Sequence, residues 1–173
     1  MIGLNYLGKM GQLGNQMFQY AALKGIANRR GLEYTVPNHN EVIEDGLGNT
    51  LRIELYNAFD INPKNQGLLP TNEYIQEAHF HFDEDLFNSC PDDCSIVGFF
   101  QTEKYFINIR DEIVKDFKIK KEYRDDCKSI LKQFDKPIAL HIRRGDFLIN
   151  SLNHYNLSMS CLLYTSPSPR DSV

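Results

Sequence analysis

The sequence has no basic excess, no long apolar run and few cysteines, and each shortage excludes a class of protein. Its 173 residues carry a formal net charge of −4, which leaves no electrostatic footprint for nucleic acid. No stretch approaches the about 18 apolar residues of a membrane-spanning helix, and the first residues do not resemble a signal peptide. We therefore expect a soluble, cytoplasmic protein. A lipid-linked substrate would allow a peripheral membrane contact, although no basic amphipathic helix indicates one.

The four cysteines are too few and too scattered for a disulfide scaffold. They are Cys90, Cys94, Cys127 and Cys161. Three residues separate Cys90 from Cys94, and no second pair follows, so the spacing favours reduced loop thiols over a metal or redox role. His79 and His81 could share a strand face as half of a metal site, but surface histidines are the better interpretation. No metal is expected.

The N-terminal segment has the pattern of a strand, a glycine loop and a helix. We expect a strand over residues 1–7, glycines at three-residue spacing from Gly8, and a helix over 16–30 that Asn15 caps and Gly31 ends. A glycine loop before a helix can cradle phosphate. Close packing of the helix on a sheet explains the same glycines, so both interpretations stay open.

The rest of the chain predicts further alternation of strands and helices, which favours an α/β layered fold. Hydrophobic residues make up 42% of the sequence, enough to bury a core. Tyr56 and Phe59 should pin the loop-rich region 38–72 to that core. The expected strands cover 33–36, 78–82, 95–100 and 137–140. One helix is expected over 102–116, and its apolar face consists of Phe106, Ile109, Ile113 and Phe117. A second helix is expected over 122–134, with Ile130, Leu131 and Phe134 facing inward.

Two adjacent arginines follow the last of these strands and are the most informative feature of the sequence. Arg143 and Arg144 lie where residues 137–140, an apolar run, give way to a glycine turn. Ligands gather at the carboxyl ends of strands in open α/β sheets, and the arginine fork suits phosphate. The segment therefore predicts a diphosphate-binding strand end.

The neighbours of the arginines fit the same interpretation. His141 and Arg143 share one face of the strand, whereas Ile142 points the other way, into a core. Asp146 can accept a hydrogen bond that holds an arginine in place. Two alternatives remain. One is an ordinary surface arginine pair with a nearby aspartate. The other is an Arg-Gly-Asp adhesion tripeptide, which no other feature of the sequence supports.

Three blocks together resemble glycosyltransferase family 11, the α-1,2-fucosyltransferases. They are GQLGNQMFQYA at 11–21, GFFQTEKYF at 98–106 and HIRRGDF at 141–147. Gln12 stands where the family has Gly or Arg, and Phe147 where it often has Tyr. The resemblance implies a GT-B-like enzyme with two α/β domains, which transfers L-fucose from GDP-β-L-fucose to the 2-hydroxyl of a galactoside, with inversion and without a metal or other cofactor.

The resemblance also implies roles for individual residues. Arg143 is the expected catalytic residue, which would stabilise charge on the leaving diphosphate in the transition state. The general base is not identifiable. The residues expected to bind the substrate are Asn15, Gln16, His141, Arg143, Arg144 and Asp146. The alternatives are another GT-B-type sugar-nucleotide transferase and a non-catalytic glycan-binding fragment.

The last fourteen residues depart from the family pattern. Residues 160–173 are rich in Ser and Pro, lack periodicity and look like translated adapter sequence. We therefore expect an N-terminal α/β domain over 1–135, the start of a truncated donor-binding domain over 136–159 and a non-native tail over 160–173. Such a chain should have little or no catalytic activity of its own.

Overall fold

The computed structural model describes residues 1–38, 42–44, 48–139, 141–142, 145, 148, 158 and 160–161. It is an α/β structure with a parallel sheet and helices, as the sequence predicts. The strands are β1 (Ile2–Gly3), β2 (Tyr34–Thr35), β3 (Ile43–Glu44), β4 (Thr50–Leu51), β5 (Tyr74–Gln76) and β6 (Ser95–Val97). The helices are α1 (Leu13–Arg30), α2 (Leu55–Ala58), α3 (Glu84–Ser89), α4 (Arg110–Asp116) and α5 (Lys121–Leu131).

Four short strands form the parallel sheet in the order β2-β1-β6-β5. Ile2 of β1 pairs with Tyr34 of β2, and Ile75 of β5 pairs with Ile96 of β6. The remaining two strands, β3 and β4, form an antiparallel pair inside the region expected to be loop. The pairs β1–β2, β1–β6 and β5–β6 are all parallel, so the carboxyl ends of the four strands lie at one edge of the sheet.

Helix α1 is the centre of the core, because it is buried nearly all round. Leu23 and Ile26 pack into the main cluster with Ile2 and Ile96 of the sheet. On another side Ala21 meets α4 in a second, smaller cluster. A helix enclosed in this way needs apolar residues around most of its circumference, not a single stripe.

The two ends of α1 test the sequence-based expectations separately. Gly31 ends the helix in the left-handed conformation, φ 66°, and its N–H donates to the carbonyl of Asn28 at 3.2 Å, so the predicted stop is confirmed. The predicted cap is wrong. The N-cap residue is Gln12, whose side chain makes no capping hydrogen bond, and Asn15 lies within the first turn.

Thr102 does start a helical segment, although not a continuous α-helix. Its hydroxyl accepts from the N–H of Lys104 and caps a 3-10 turn over Glu103–Tyr105. A second 3-10 turn over Ile107–Ile109 leads into α4. The predicted apolar face is confirmed, because Ile109 and Ile113 are buried and Phe106 and Phe117 pack against them.

Phe59 and Tyr56 anchor the segment between β2 and β5, as predicted. Phe59 is buried, and its ring packs against that of Phe117 in a tilted arrangement, with 5.2 Å between the ring centroids. The Tyr56 hydroxyl donates to the carbonyl of Pro37 at 3.0 Å. Burial raises the pKa of Tyr56 to about 12, so this hydroxyl stays a donor at neutral pH.

Three other expectations are wrong. Residues 78–82 are not a strand, since β5 ends at Gln76 and bends follow. Helix α5 buries none of its residues, and the side chains expected inside are 56% (Ile130), 52% (Leu131) and 58% (Phe134) exposed. Pro137–Ala139 is exposed and forms no strand, with Ile138 90% exposed. Periodicity marks an apolar face but does not supply the surface that covers it.

None of the helices in the described part of the chain is both long enough and apolar enough to cross a membrane.

Candidate functional site

The carboxyl edge of the sheet is the candidate site, because loops from three strands and one helix start meet there. Residues 4–12 follow β1, Glu77 follows β5, and Gly98–Gln101 follow β6. Helix α1 begins at the same edge. Ligands of open α/β sheets bind at this edge, where helix N-termini add a partial positive charge.

Gln19 joins two of these loops from inside the helix. Its Nε2 donates to the carbonyl of Met10 at 3.2 Å and to that of Gly98 at 3.0 Å. The residue is only 2% exposed, and its Oε1 has no partner among the described residues. Gln19 therefore fixes the distance between the loops after β1 and β6 and can accept one more hydrogen bond.

Glu77 fixes the turn after β6 in a similar way. One carboxylate oxygen accepts from the backbone N–H groups of Phe99 (3.1 Å) and Phe100 (2.9 Å), and the other from the Tyr105 hydroxyl (3.1 Å). Phe100 needs this support because it holds φ 52°, which is unfavourable for a side chain of its size. Burial raises the pKa of Tyr105, so its hydroxyl remains a donor.

Asn15 faces the edge from the first turn of α1. Its Oδ1 accepts from Nε2 of Gln101 at 2.7 Å, which links the helix start to the segment after β6. Gly11, at φ 74°, lies directly against it: a Cβ there would come within 2.6 Å of the Asn15 Cβ. Gly11 therefore allows the loop to pack closely against the first turn of α1.

Gln16, the neighbour of Asn15, is fully buried, and its amide is used by the protein. Its Nε2 donates to the carbonyls of Gly11 (3.2 Å) and Arg52 (2.7 Å), and its Oε1 accepts from the N–H of Glu54 at 2.8 Å. Both amide hydrogens therefore form hydrogen bonds to main-chain carbonyls. Gln16 contributes to the edge by tying the glycine loop to the segment between β4 and α2.

The start of α1 favours an anion at this edge. The first turn carries no acidic side chain, and the capping position has no side-chain acceptor for the N–H groups of that turn. The partial positive charge of the helix end is therefore not offset locally. Phosphate or carboxylate groups are the ligands that such an end stabilises.

Of the other predicted site residues, only His141 lies within the described residues. His141 is exposed and belongs to no helix or strand, and Ile142 is half-buried. Arg143, Arg144 and Asp146 lie outside the described residues, so their roles stay predictions.

Sequence reasoning missed three residues that organise the edge: Gln19, Glu77 and Gln101. Gln19 and Gln101 lie within the family-like blocks at 11–21 and 98–106, and this position could have marked them as candidate site residues. Glu77 had none, since only the folding of β5 against β6 brings its carboxylate to the turn that it holds.

Comparison with known proteins identifies the family of this chain. The profile of the family described as Glycosyl transferase family 11 matches residues 1–165. Galactoside alpha-(1,2)-fucosyltransferase 1 of Sus scrofa is 27% identical over 148 residues, which are 80% of this chain and 38% of the relative. Galactoside alpha-(1,2)-fucosyltransferase 2 of Mus musculus is 25% identical over 158 residues, 84% of this chain and 42% of the relative.

The chain thus spans about two fifths of the length of the curated relatives that it matches. No solved structure is significantly similar to it. The family profile covers well over half of the residues and includes all three sequence blocks. The chain therefore belongs to glycosyl transferase family 11.

Proposed function

We propose that this chain is a fragment of a galactoside α-1,2-fucosyltransferase that moves L-fucose from GDP-β-L-fucose to the 2-hydroxyl of a galactoside, with inversion. The observation that carries the proposal is the family match over residues 1–165 together with relatives named for that activity. At 24–27% identity the comparison supports the reaction class, and donor and acceptor are inferred from the relatives' names and the sequence blocks.

The geometry of the carboxyl edge is compatible with such a reaction. A nucleoside diphosphate sugar brings two phosphates, and the uncompensated start of α1 is suited to anionic groups. Asn15 and Gln101 present amide groups at the same edge. In the proposal, the edge belongs to the cleft in which donor and acceptor meet.

The leaving diphosphate needs positive charge, which Arg143 and Arg144 would supply. A bidentate arginine can stabilise the developing charge in place of a divalent cation, so the proposed enzyme works without a metal or other cofactor. His141 and Asp146 would orient the arginines. The part of the relatives that this chain does not cover would hold the nucleoside, and the acceptor would be a galactoside-bearing glycan.

The test is a transfer assay on the protein expressed from the complete open reading frame, with this chain alone assayed beside it. Lactose is the acceptor, and GDP-fucose, GDP-mannose and UDP-galactose are offered separately. We expect an α-1,2-fucosylated product and GDP release with GDP-fucose alone, and little or no product from the isolated chain.

Two results would contradict the proposal. Transfer from GDP-mannose or UDP-galactose in preference to GDP-fucose would indicate a different sugar-nucleotide transferase. Binding of lactose that neither GDP nor an Arg143→Ala substitution alters, with no transfer from any donor, would indicate a glycan-binding protein.

A further inference from the structure

Two buried thiols face each other at the end of helix α3, away from the candidate site. The Sγ atoms of Cys90 and Cys94 lie 3.7 Å apart, and the residues are 1% and 0% exposed. The Cys94 thiol also lies 3.3 Å from the carbonyl oxygen of Pro91, which can accept a hydrogen bond from it. The two sulfurs thus close the short loop over residues 91–93.

The backbone on each side of this loop is fixed. Cys90 ends α3, with its N–H donating to the carbonyl of Leu86 at 3.0 Å and its own carbonyl accepting from Nε of Arg30 at 3.1 Å. Cys94 precedes β6, and its carbonyl accepts from the N–H of Gly3 at 2.9 Å. The fold therefore holds the sulfurs together by two separate elements, so their proximity is a property of the folded state.

The loop between the cysteines is exposed and charged. Asp93 takes φ 55°, and its N–H donates to the carbonyl of Met1 at 2.9 Å. The amino group of Met1 forms ion pairs with Asp92 and Asp93, whose side chains are 55% and 84% exposed. Opening these three residues would uncover the thiols without unfolding the sheet, because surface ion pairs of this kind contribute little.

The two thiols differ in acidity. Their mutual hydrogen bond, together with burial, raises the pKa of Cys90, whereas the same hydrogen bond lowers the pKa of Cys94. The amino group of Met1 also favours the Cys94 thiolate. Since the thiolate is the nucleophile in exchange reactions, Cys94 is the thiol of the pair that is favoured to react first.

We propose that Cys90 and Cys94 are a disulfide-forming pair, which a small disulfide such as glutathione disulfide oxidises and excess thiol reduces. The Cys94 thiolate attacks one sulfur of the oxidant, forms a mixed disulfide and releases one glutathione thiolate. The deprotonated Cys90 then attacks the Cys94 sulfur and releases the second. Two electrons pass to the oxidant, and the two thiol protons end on the two glutathione molecules. The new S–S bond joins the end of α3 to β6.

The remaining cysteines provide an internal comparison. Cys127 lies exposed on α5, and Cys161 is half-buried near the end of the described chain. A thiol oxidised only because it is accessible would be Cys127. Selective oxidation of the buried pair would instead follow from its geometry.

The experiment measures the disulfide equilibrium in the folded and the unfolded chain. Wild-type protein is equilibrated in glutathione buffers of graded ratio, starting both from reduced protein and from protein refolded after oxidation, so that slow access cannot imitate a lack of reaction. The same titration is done in guanidinium chloride. After acid quenching and alkylation, tryptic peptides are analysed by mass spectrometry. Both cysteines of the pair fall in the single peptide between Lys64 and Lys104, separate from the peptides of Cys127 and Cys161.

We expect an internal disulfide in the peptide over 65–104, with an equilibrium constant about tenfold or more higher in the folded chain than in guanidinium chloride, equivalent to about 30 mV for a two-electron couple. An equal or lower constant in the folded chain would overturn the proposal. Mixed glutathione disulfides without the internal link, or pairing of Cys90 or Cys94 with another cysteine, would do the same. Circular dichroism before each titration establishes that the chain is folded in buffer and unfolded in guanidinium chloride. The comparison uses the wild-type protein alone, so no substitution is needed.

Discussion

Gly25 of α1 lies directly beneath the main-chain carbonyl of Tyr105. A Cβ at Gly25 would come within 2.8 Å of the carbonyl carbon of Tyr105 and would collide with its oxygen. The absence of a side chain therefore allows the 3-10 turn over Glu103–Tyr105 to pack on the helix. Since that turn carries the Tyr105 hydroxyl to Glu77, this contact also positions the loop after β6.

Gly25→Ala should destabilise the protein by about 1–3 kcal/mol, because the added methyl group has to displace backbone. Gly14→Ala is the matched control in the same helix, since nothing lies within 4 Å of a Cβ at that position. The control should be neutral or stabilising by about 0.5 kcal/mol, as alanine is the better helix former. Guanidinium chloride denaturation of both variants measures the difference, and equal stabilities would disprove the close contact.

Glu77→Gln should lower the free energy of unfolding by about 1.5–3 kcal/mol, the range for hydrogen bonds to a charged group. The amide cannot accept on both sides, so either the Tyr105 hydroxyl or the N–H groups of Phe99 and Phe100 lose an acceptor. Glu73→Gln, an exposed change just before β5, is the control and should have little effect. A Glu77 variant as stable as the Glu73 variant would show that the carboxylate does not hold the turn.

Lys24 should make stability fall at alkaline pH. Burial alone would lower its pKa, but the hydrogen bond to Asp116, with Nζ 2.6 Å from Oδ2, helps to raise it overall. Its contribution is complete below the unfolded value of about 10.4 and is lost as the pH rises through the higher folded pKa. Burial also raises the pKa of Tyr20, which adds a loss in the same direction.

Urea denaturation between about pH 9 and 12, a range that extends above the unfolded pKa of the lysine, tests this dependence. Lys24→Met should remove the part that belongs to the lysine, so that its free energy of unfolding falls less steeply with pH than that of the wild type. Lys115→Met changes an exposed lysine on α4 and should keep the wild-type dependence. Parallel curves for the wild type and the Lys24 variant would contradict the assignment.

Gln16→Leu should be the most destabilising change in the first turn of α1. It leaves the carbonyls of Gly11 and Arg52 and the N–H of Glu54 without their partner, at about 1–3 kcal/mol for each group that stays buried. Gln12→Ala changes an exposed glutamine without a capping hydrogen bond and should stay within about 0.5 kcal/mol of the wild type. Thermal denaturation compares the two. Similar melting temperatures would exclude the proposed role of Gln16.

Arg143→Ala should reduce fucose transfer by the complete protein about 10²–10³-fold, as expected for loss of a preorganised donor to developing charge. Arg143→Lys should also be poor, because an ammonium group cannot replace the bidentate fork. Measured kcat values for both variants test the role, with unchanged folding as the control by circular dichroism. Activity close to wild type in both would remove Arg143 from the mechanism.

Sequence-based predictions were reliable where the residues that determine a feature lie in the same short segment as the feature itself. Gly31 ends α1 because a residue without a side chain adopts the left-handed conformation readily, and this can be read from the sequence. The spacing of Ile109 and Ile113 likewise marks a face that is buried. Gly8 and Gly11 likewise lie in the expected loop between β1 and α1, where both take positive φ.

The errors have other causes. Ile130, Leu131 and Phe134 form an apolar face, yet whether such a face is buried depends on a partner surface elsewhere in the protein. Strand β5 has three residues and too little alternation to be recognised, and it exists because β6 pairs with it. Asn15 looks like a helix cap, but the helix starts two residues earlier, and the side chain bonds to Gln101 instead.

By itself the sequence determined the family, through three blocks of residues, together with the α/β class and the C-terminal end of its longest helix. Only the tertiary structure decided which side chains build the carboxyl edge, because Gln19, Glu77 and Gln101 act on segments far away in the chain. It also brought Cys90 and Cys94 within 3.7 Å, by fixing the end of α3 against β6. Hydrogen bonds and contacts of this kind depend on distances that arise only when separate elements pack together.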